Sequence, residues 1–159
     1  MMARVALETG GTRGIGASIS QALQAQGMTV AATYQGNDEA AAAFREATGI
    51  AVYKWDVSDF QACQDGVAQV AADLGPVAVL VNNAGITRDG MLHKMSAEQW
   101  NAVIQTNLTS AFSMCRAVIS GMRESGYGRI VNISSVNGQK GQMGQTNYAA
   151  AKAGMIGFS

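Results

Sequence analysis

Histidine is almost missing from this chain: His93 is the only one. That excludes a multi-histidine metal site, argues against a Ser-His-Asp triad, and leaves His93 as a solvated loop residue. Cysteine is nearly as scarce. Cys63 and Cys115 stand far apart with no second ligand at metal-binding spacing, so neither a zinc site nor a redox pair is indicated, and both read as buried or half-buried thiols. Neither sign of charge is in surplus, with 11 Lys and Arg against 11 Asp and Glu, and no basic run stands out. There is thus no electrostatic footprint for nucleic acid or an anionic membrane, and a neutral small molecule or a locally held anion is the expected partner. No apolar run approaches the roughly 18 residues that cross a bilayer. The opening Met1 to Leu7 is too short for a secretory signal, so a soluble, cytoplasmic protein is expected. Repeats, low-complexity segments and linkers are absent as well. A length of 159 residues suits one domain, since domains commonly run to about 100–150 residues.

What the chain does have is regular punctuation. Gly27, Gly49, Gly75 and Gly128 each follow a segment of helical character and precede a β-rich run. That is where a helix ends in a left-handed residue that glycine adopts without steric cost. The runs Met28 to Tyr34, Ile50 to Trp55, Val77 to Asn82 and Arg129 to Ser134 are short and mostly apolar, as strands buried on both faces are. With Arg4 to Glu8 they make five strands. The stretches between are rich in Ala, Gln and Glu, and Ser58 with Gln61 and Ser96 with Gln99 have capping-box spacing at helix starts. Strand and helix alternate throughout, which predicts right-handed βαβ units in an α/β fold, a doubly wound parallel sheet of Rossmann type.

Between the first strand and a helix starting near Gly14 lies Thr9-Gly10-Gly11-Thr12-Arg13-Gly14-Ile15-Gly16. Glycines there let the backbone approach a pyrophosphate, whose charge is met by free N–H groups and the positive end of the helix dipole. The end of the second strand reads Thr33-Tyr34-Gln35, without the carboxylate that binds a ribose 2′-OH in NAD enzymes. Nothing there repels a 2′-phosphate, and Arg13 is available to pair with one or simply to be solvated, so NADP is the expected cofactor. Asp56, with Val57 after it, either accepts from an adenine amino group or caps the next segment.

Tyr148 and Lys152 are four residues apart in an Ala-rich segment, one turn apart on one helix face. An ammonium held near a phenol favours the phenolate and brings the group toward proton exchange at neutral pH. Ser135 follows the fifth strand, at the carboxyl edge of the sheet where ligands bind in open α/β folds. Taken together, Thr9-Gly10-x-x-x-Gly14-x-Gly16, Asn82-Asn83-Ala84-Gly85, Asn107, Ser135, Tyr148 and Lys152 resemble the short-chain dehydrogenase/reductase family over the whole chain.

The resemblance implies a role for each residue. Tyr148 would protonate a carbonyl oxygen, Ser135 would orient that oxygen, Lys152 would lower the pKa of Tyr148 and bind the nicotinamide ribose, and Asn107 would hold a proton-relaying water. The cofactor would meet Gly10, Thr12, Arg13, Gly14, Ile15, Gly16, Tyr34, Asp56, Val57, Asn83, Ala84 and Gly85, with Tyr148 and Lys152. Ile133 to Tyr148 and Ala84 to Asp89 resemble the branch that reduces acetoacetyl-CoA in polyhydroxybutyrate synthesis, the 3-oxoacyl-carrier-protein reductases being near relatives. Gln142 and Gln145, then Asp89 and Lys94, are on that reading the contacts to a 3-oxoacyl group; the plainer reading is that the glutamines satisfy a polar loop.

The family also implies a homo-oligomer, dimer or tetramer, built on the helix with small residues from Ala149 to Gly157 and the helix before it. Its members are longer, so a C-terminal part with two further strands is expected to be missing, which makes a non-catalytic cofactor-binding fragment the competing expectation. Glu8 departs from the pattern, because the family places an apolar residue there.

Overall fold

Strands form where small and branched apolar residues run without interruption. The computed structural model describes residues 3–159 and has β1 (Val5–Glu8), α1 (Gly14–Ala25), β2 (Thr29–Tyr34), α2 (Asp38–Thr48), β3 (Ala51–Lys54), α3 (Phe60–Leu74) and β4 (Val77–Asn82). There follow α4 (Ala97–Ile104), α5 (Ser110–Glu124), β5 (Arg129–Asn132), α6 (Asn137–Lys140) and α7 (Thr146–Phe158). A 3₁₀ turn at Leu92–Lys94 precedes α4, and a π turn at Gln105–Thr109 joins α4 to α5. All strands are parallel in the order β3-β2-β1-β4-β5. The expected doubly wound α/β sheet of five strands is the observed one.

Helices pack on both faces of the sheet, although Val131 of β5 is left 46 % exposed. Val5, Leu7 and Leu80 pack with Cys63, Val67 and Val70 of α3 and Met114 and Val118 of α5. On the other face Ala6, Val30, Ala32, Val79 and Val81 pack with Phe44 of α2 and Ala17, Ile19 and Leu23 of α1. Cys63 is buried and Cys115 half-buried, and both thiols are free. No helix among the described residues is long and apolar enough to cross a membrane.

Two of the local expectations fail for identifiable reasons. Gly27, Gly49 and Gly75 do take positive φ, but Gly128 does not; Gly126 takes it instead, at 68°. Gly128 is glycine for lack of room, since a Cβ there would sit 2.6 Å from the Met122 sulfur. The capping box at Ser96 and Gln99 forms in both directions. That at Ser58 and Gln61 does not: Asp59 caps α3 by accepting from the Ala62 N–H, because the Ser58 hydroxyl is drawn back to Asp56 Oδ1 at 2.7 Å.

Candidate active site

The strand order reverses between β1 and β4, so the loops leaving their carboxyl ends diverge and open a crevice, the usual ligand position in such sheets. Thr9 holds the two loops together. Its Oγ1 accepts from the N–H groups of Asn83 (3.0 Å) and Ala84 (3.1 Å), and its carbonyl accepts from Asn83 Nδ2 at 3.0 Å. The approach is too close for side chains. A Cβ on Gly10 would lie 3.3 Å from Ala84 Cα, and one on Gly16 would lie 2.1 Å from the Gly10 carbonyl oxygen.

The result is a cleft of about 620 Å³ walled by Gly10, Thr12 to Gly16, Tyr34, Val57 and Asn83 to Gly85, all expected from the sequence. Helix α1 begins at this cleft with no side chain capping it and no acidic residue in its first turn, so its leading N–H groups are free for an anion. Ile15 lies on the cleft wall 69 % exposed, an apolar surface that a bound ligand would cover. An open cradle, an uncapped helix start and Arg13 on the wall fit a dinucleotide phosphate.

Thr33, Gln35, Gly36, Asn37, Trp55, Ile86 and Thr106 also line the cleft and were not assigned from the sequence, although Thr33 and Gln35 flank Tyr34. Asp56 takes the second of its two expected roles, capping the turn that follows it. The cleft wall takes Trp55 and Val57 on either side of it, while Asp56 accepts from Ser58 N and Oγ and, at 2.7 Å, from Gln35 Nε2.

Beyond β5 the chain is bound to α7 at three points. Lys152 Nζ donates to the Ile133 carbonyl at 2.6 Å, Ser134 Oγ donates to the Lys152 carbonyl at 2.8 Å, and Gly138 of α6 packs against the backbone of Lys152 and Ala153, where a Cβ would come within 2.7 Å. Ser135, Tyr148 and Lys152 are thereby held at one corner of the sheet, outside the walls of the nucleotide cleft but next to the Asn82 to Gly85 loop through the β4–β5 pairing. Lys152 is 3 % exposed, its Nζ lies 5.8 Å from the Tyr148 ring centroid, and burial lowers its pKa. Tyr148 and Ser135 are half-buried.

Asn107 sits on the π turn, fully buried, with Oδ1 accepting from Ile86 N (2.8 Å) and Nδ2 donating to Ile86 O (2.9 Å). Its side chain fixes the loop after β4. Of the substrate candidates, Asp89 and Gln145 meet at 2.9 Å. Gln142 is exposed and reaches only Lys140, at 3.5 Å, and Lys94 lies on the exposed 3₁₀ turn with no hydrogen bond to that cluster.

A sequence profile described as short chain dehydrogenase matches residues 4–159. An acetoacetyl-CoA reductase of Shinella zoogloeoides is 68 % identical over 158 residues, covering 99 % of this chain and 66 % of that protein. One of Rhizobium meliloti is 67 % identical with the same coverage. The 3-oxoacyl-acyl-carrier-protein reductase of Escherichia coli is 44 % identical over 98 % of this chain and 64 % of its own length. The chain thus spans just under two thirds of the relatives it matches.

Proposed function

The chain belongs to the short chain dehydrogenase family, and from that membership we propose that it serves to reduce the 3-oxo group of acetoacetyl-CoA to a hydroxyl with NADPH. The observation that supports this is the triple tie between the end of β5 and α7, which joins the segment carrying Ser135 to the helix carrying Tyr148 and Lys152. The acyl thioester follows from the names of the relatives at 67 and 68 % identity; the carrier-protein handle is carried by one at 44 %.

A nicotinamide cofactor supplies the hydride for the carbonyl carbon. The chain's own groups do the rest: the Ser135 hydroxyl donates to the carbonyl oxygen and fixes its position, and Tyr148 gives that oxygen its phenolic proton. The Lys152 ammonium, buried and near the Tyr148 ring, stabilises the phenolate left behind. Gly10 to Gly16 and the start of α1 would hold the pyrophosphate, and Arg13 the 2′-phosphate that favours NADP over NAD. Self-association is part of the reading, supported by Phe112, 51 % exposed on α5 and stacked on the exposed Phe60 of α3 at 6.2 Å.

The test is NADPH oxidation by the 159-residue chain with acetoacetyl-CoA, beside Tyr148→Phe and an NADH control. Loss of the proton donor is expected to lower kcat by about 10²–10⁴-fold. Equal turnover in the variant, or a preference for NADH, counts against the assignment.

A further inference from the structure

Among the described residues one ion pair is seen, and it stands behind a wall of the cofactor cleft. Lys54 Nζ lies 2.8 Å from Asp38 Oδ1 and donates to Asp38 Oδ2 at 2.9 Å. Both side chains are well exposed, and exposed pairs add little to stability. Its place in the fold gives the pair another use. Lys54 ends β3 directly opposite Tyr34, which ends β2, so the two side chains leave the same face of the sheet as cross-strand neighbours. Asp38 opens α2 four residues after Tyr34. The Tyr34 phenol faces the same carboxylate: desolvation, and then a hydrogen bond to Asp38, raise its pKa. Tyr34 is also the one residue shared by the cofactor cleft and a smaller cavity of about 370 Å³ that Asp38 lines with Ala42, Arg45 and Val52.

We propose that the Asp38–Lys54 pair sets cofactor selectivity through Tyr34: Lys54 neutralises the carboxylate behind the phenol and so keeps that end of the cleft open to a 2′-phosphate. The inference rests on the NADP reading above, and it gives Arg13 a partner that does not itself line the cleft. Asp38 and Lys54 are positioning residues, acting through the wall that Tyr34 forms. A carboxylate at the end of the second strand is what NAD enzymes use to accept from a ribose 2′-OH. This chain has Tyr34 there, yet Asp38 brings a carboxylate to the back of that same phenol. The first turn of α2 does not need it for the helix dipole, because Glu39 stands beside it. Left alone, Asp38 would set a negative charge behind the wall and repel a second one in front of it. Paired with Lys54, it presents no net charge to the cleft. Asp56, the carboxylate on the β3 side, is likewise engaged, by Gln35 and Ser58.

The experiment measures Kd for NADPH and for NADH by titration calorimetry on the 159-residue chain, on Lys54→Met, on Asp38→Asn and on the double variant. Lys54→Met unmasks the carboxylate and is expected to weaken NADPH by about fivefold or more, while NADH stays within about twofold. Asp38→Asn should bind NADPH as tightly as the parent or more so. The double variant should return to within about twofold of Asp38→Asn, the non-additivity expected of two groups acting as one unit. That return separates masking from contact: a double variant as weak as Lys54→Met would mean that Lys54 meets the phosphate itself, and the masking is overturned. NADPH bound equally by the parent and Lys54→Met overturns it too, as does an equal weakening of NADH, which would mark a general loss of the cleft. A parent that binds NADPH no better than NADH sinks the NADP reading and this proposal with it. A parent that prefers NADPH leaves that reading standing whatever the variants do.

Discussion

Glu8 sits at the end of β1 between Ala32 and Val81, fully buried, with neither carboxyl oxygen hydrogen-bonded. The Ser20 hydroxyl, which like the Glu8 side chain lies against Gly11, is donated to the Gly11 carbonyl at 3.0 Å. Burial alone pushes the Glu8 pKa from 4.5 up to about 9, so the folded protein holds this carboxyl as a neutral acid at pH 7. The unfolded chain loses that proton near pH 4.5, so between 4.5 and about 9 the folded state binds more protons. The contribution of Glu8 to stability is therefore greatest below pH 4.5, falls by up to about 1.4 kcal/mol per pH unit through that window, and levels off above it. By pH 7 the loss is on the order of 3 kcal/mol. Urea unfolding at several pH values should show the decline in the parent chain. Glu8→Gln should flatten this contribution, and Glu8→Val should flatten it and add a gain of about 1–3 kcal/mol by removing an unsatisfied polar group. A parent chain equally stable at pH 5 and pH 8, with Glu8→Val no more stable, would show that the carboxyl is satisfied after all.

Among the elements, α6 and α7 are held at a close approach. An alanine Cβ at Gly138 would meet the Lys152 backbone at 2.7 Å, and one at Gly154 would meet the Leu108 side chain at 2.7 Å. The small residues of α7 expected to serve packing between subunits thus serve, at Gly154, packing on the chain's own π turn. Gly138→Ala is expected to cost about 1–3 kcal/mol as overpacking, and to lower kcat further than Gly154→Ala, because it parts Ser135 from Tyr148. Equal activity in both variants would mean that α6 does not set that spacing. The strands were legible in the sequence because a continuous apolar run of that length, bounded by glycine, leaves few alternatives; Val77 to Asn82 is observed unchanged. The glycine loop and the Tyr148–Lys152 spacing were legible for the same local reason. What depends on contacts between distant segments was not. The Asp89–Gln145 bond spans 56 positions, the Thr9–Asn83 bonds span 74, and the side wall formed by Trp55 arises only when β3 is placed beside β2. Of the two readings of Asp56, the capping one is seen in its bonds from Ser58, which are local, whereas its bond from Gln35 spans 21 positions and was not legible.

At the scale of the whole molecule, the cleft is walled by residues from both sides of the reversal point: Gly10, Thr12 to Gly16, Thr33 to Asn37, Trp55 and Val57 from the loops after β1, β2 and β3, and Asn83 to Ile86 from the loop after β4. A dinucleotide filling it would touch both halves of the sheet at once and so oppose their separation on unfolding. Anything that binds only the folded chain raises its stability, by about 2.7 kcal/mol at a hundredfold excess over Kd. For a domain of this size that corresponds to a rise of several degrees in Tm. On the proposed reading NADPH is expected to raise Tm more than NADH at equal concentration, because Arg13 on the cleft wall would meet the 2′-phosphate while Thr33-Tyr34-Gln35 contains no carboxylate. Arg13→Ala should bring the two shifts together by lowering that of NADPH, and Gly16→Ala, whose Cβ would lie 2.1 Å from the Gly10 oxygen, should abolish both. Equal shifts for the two cofactors in the parent chain would remove Arg13 from the 2′-phosphate and leave NADP without its structural reason.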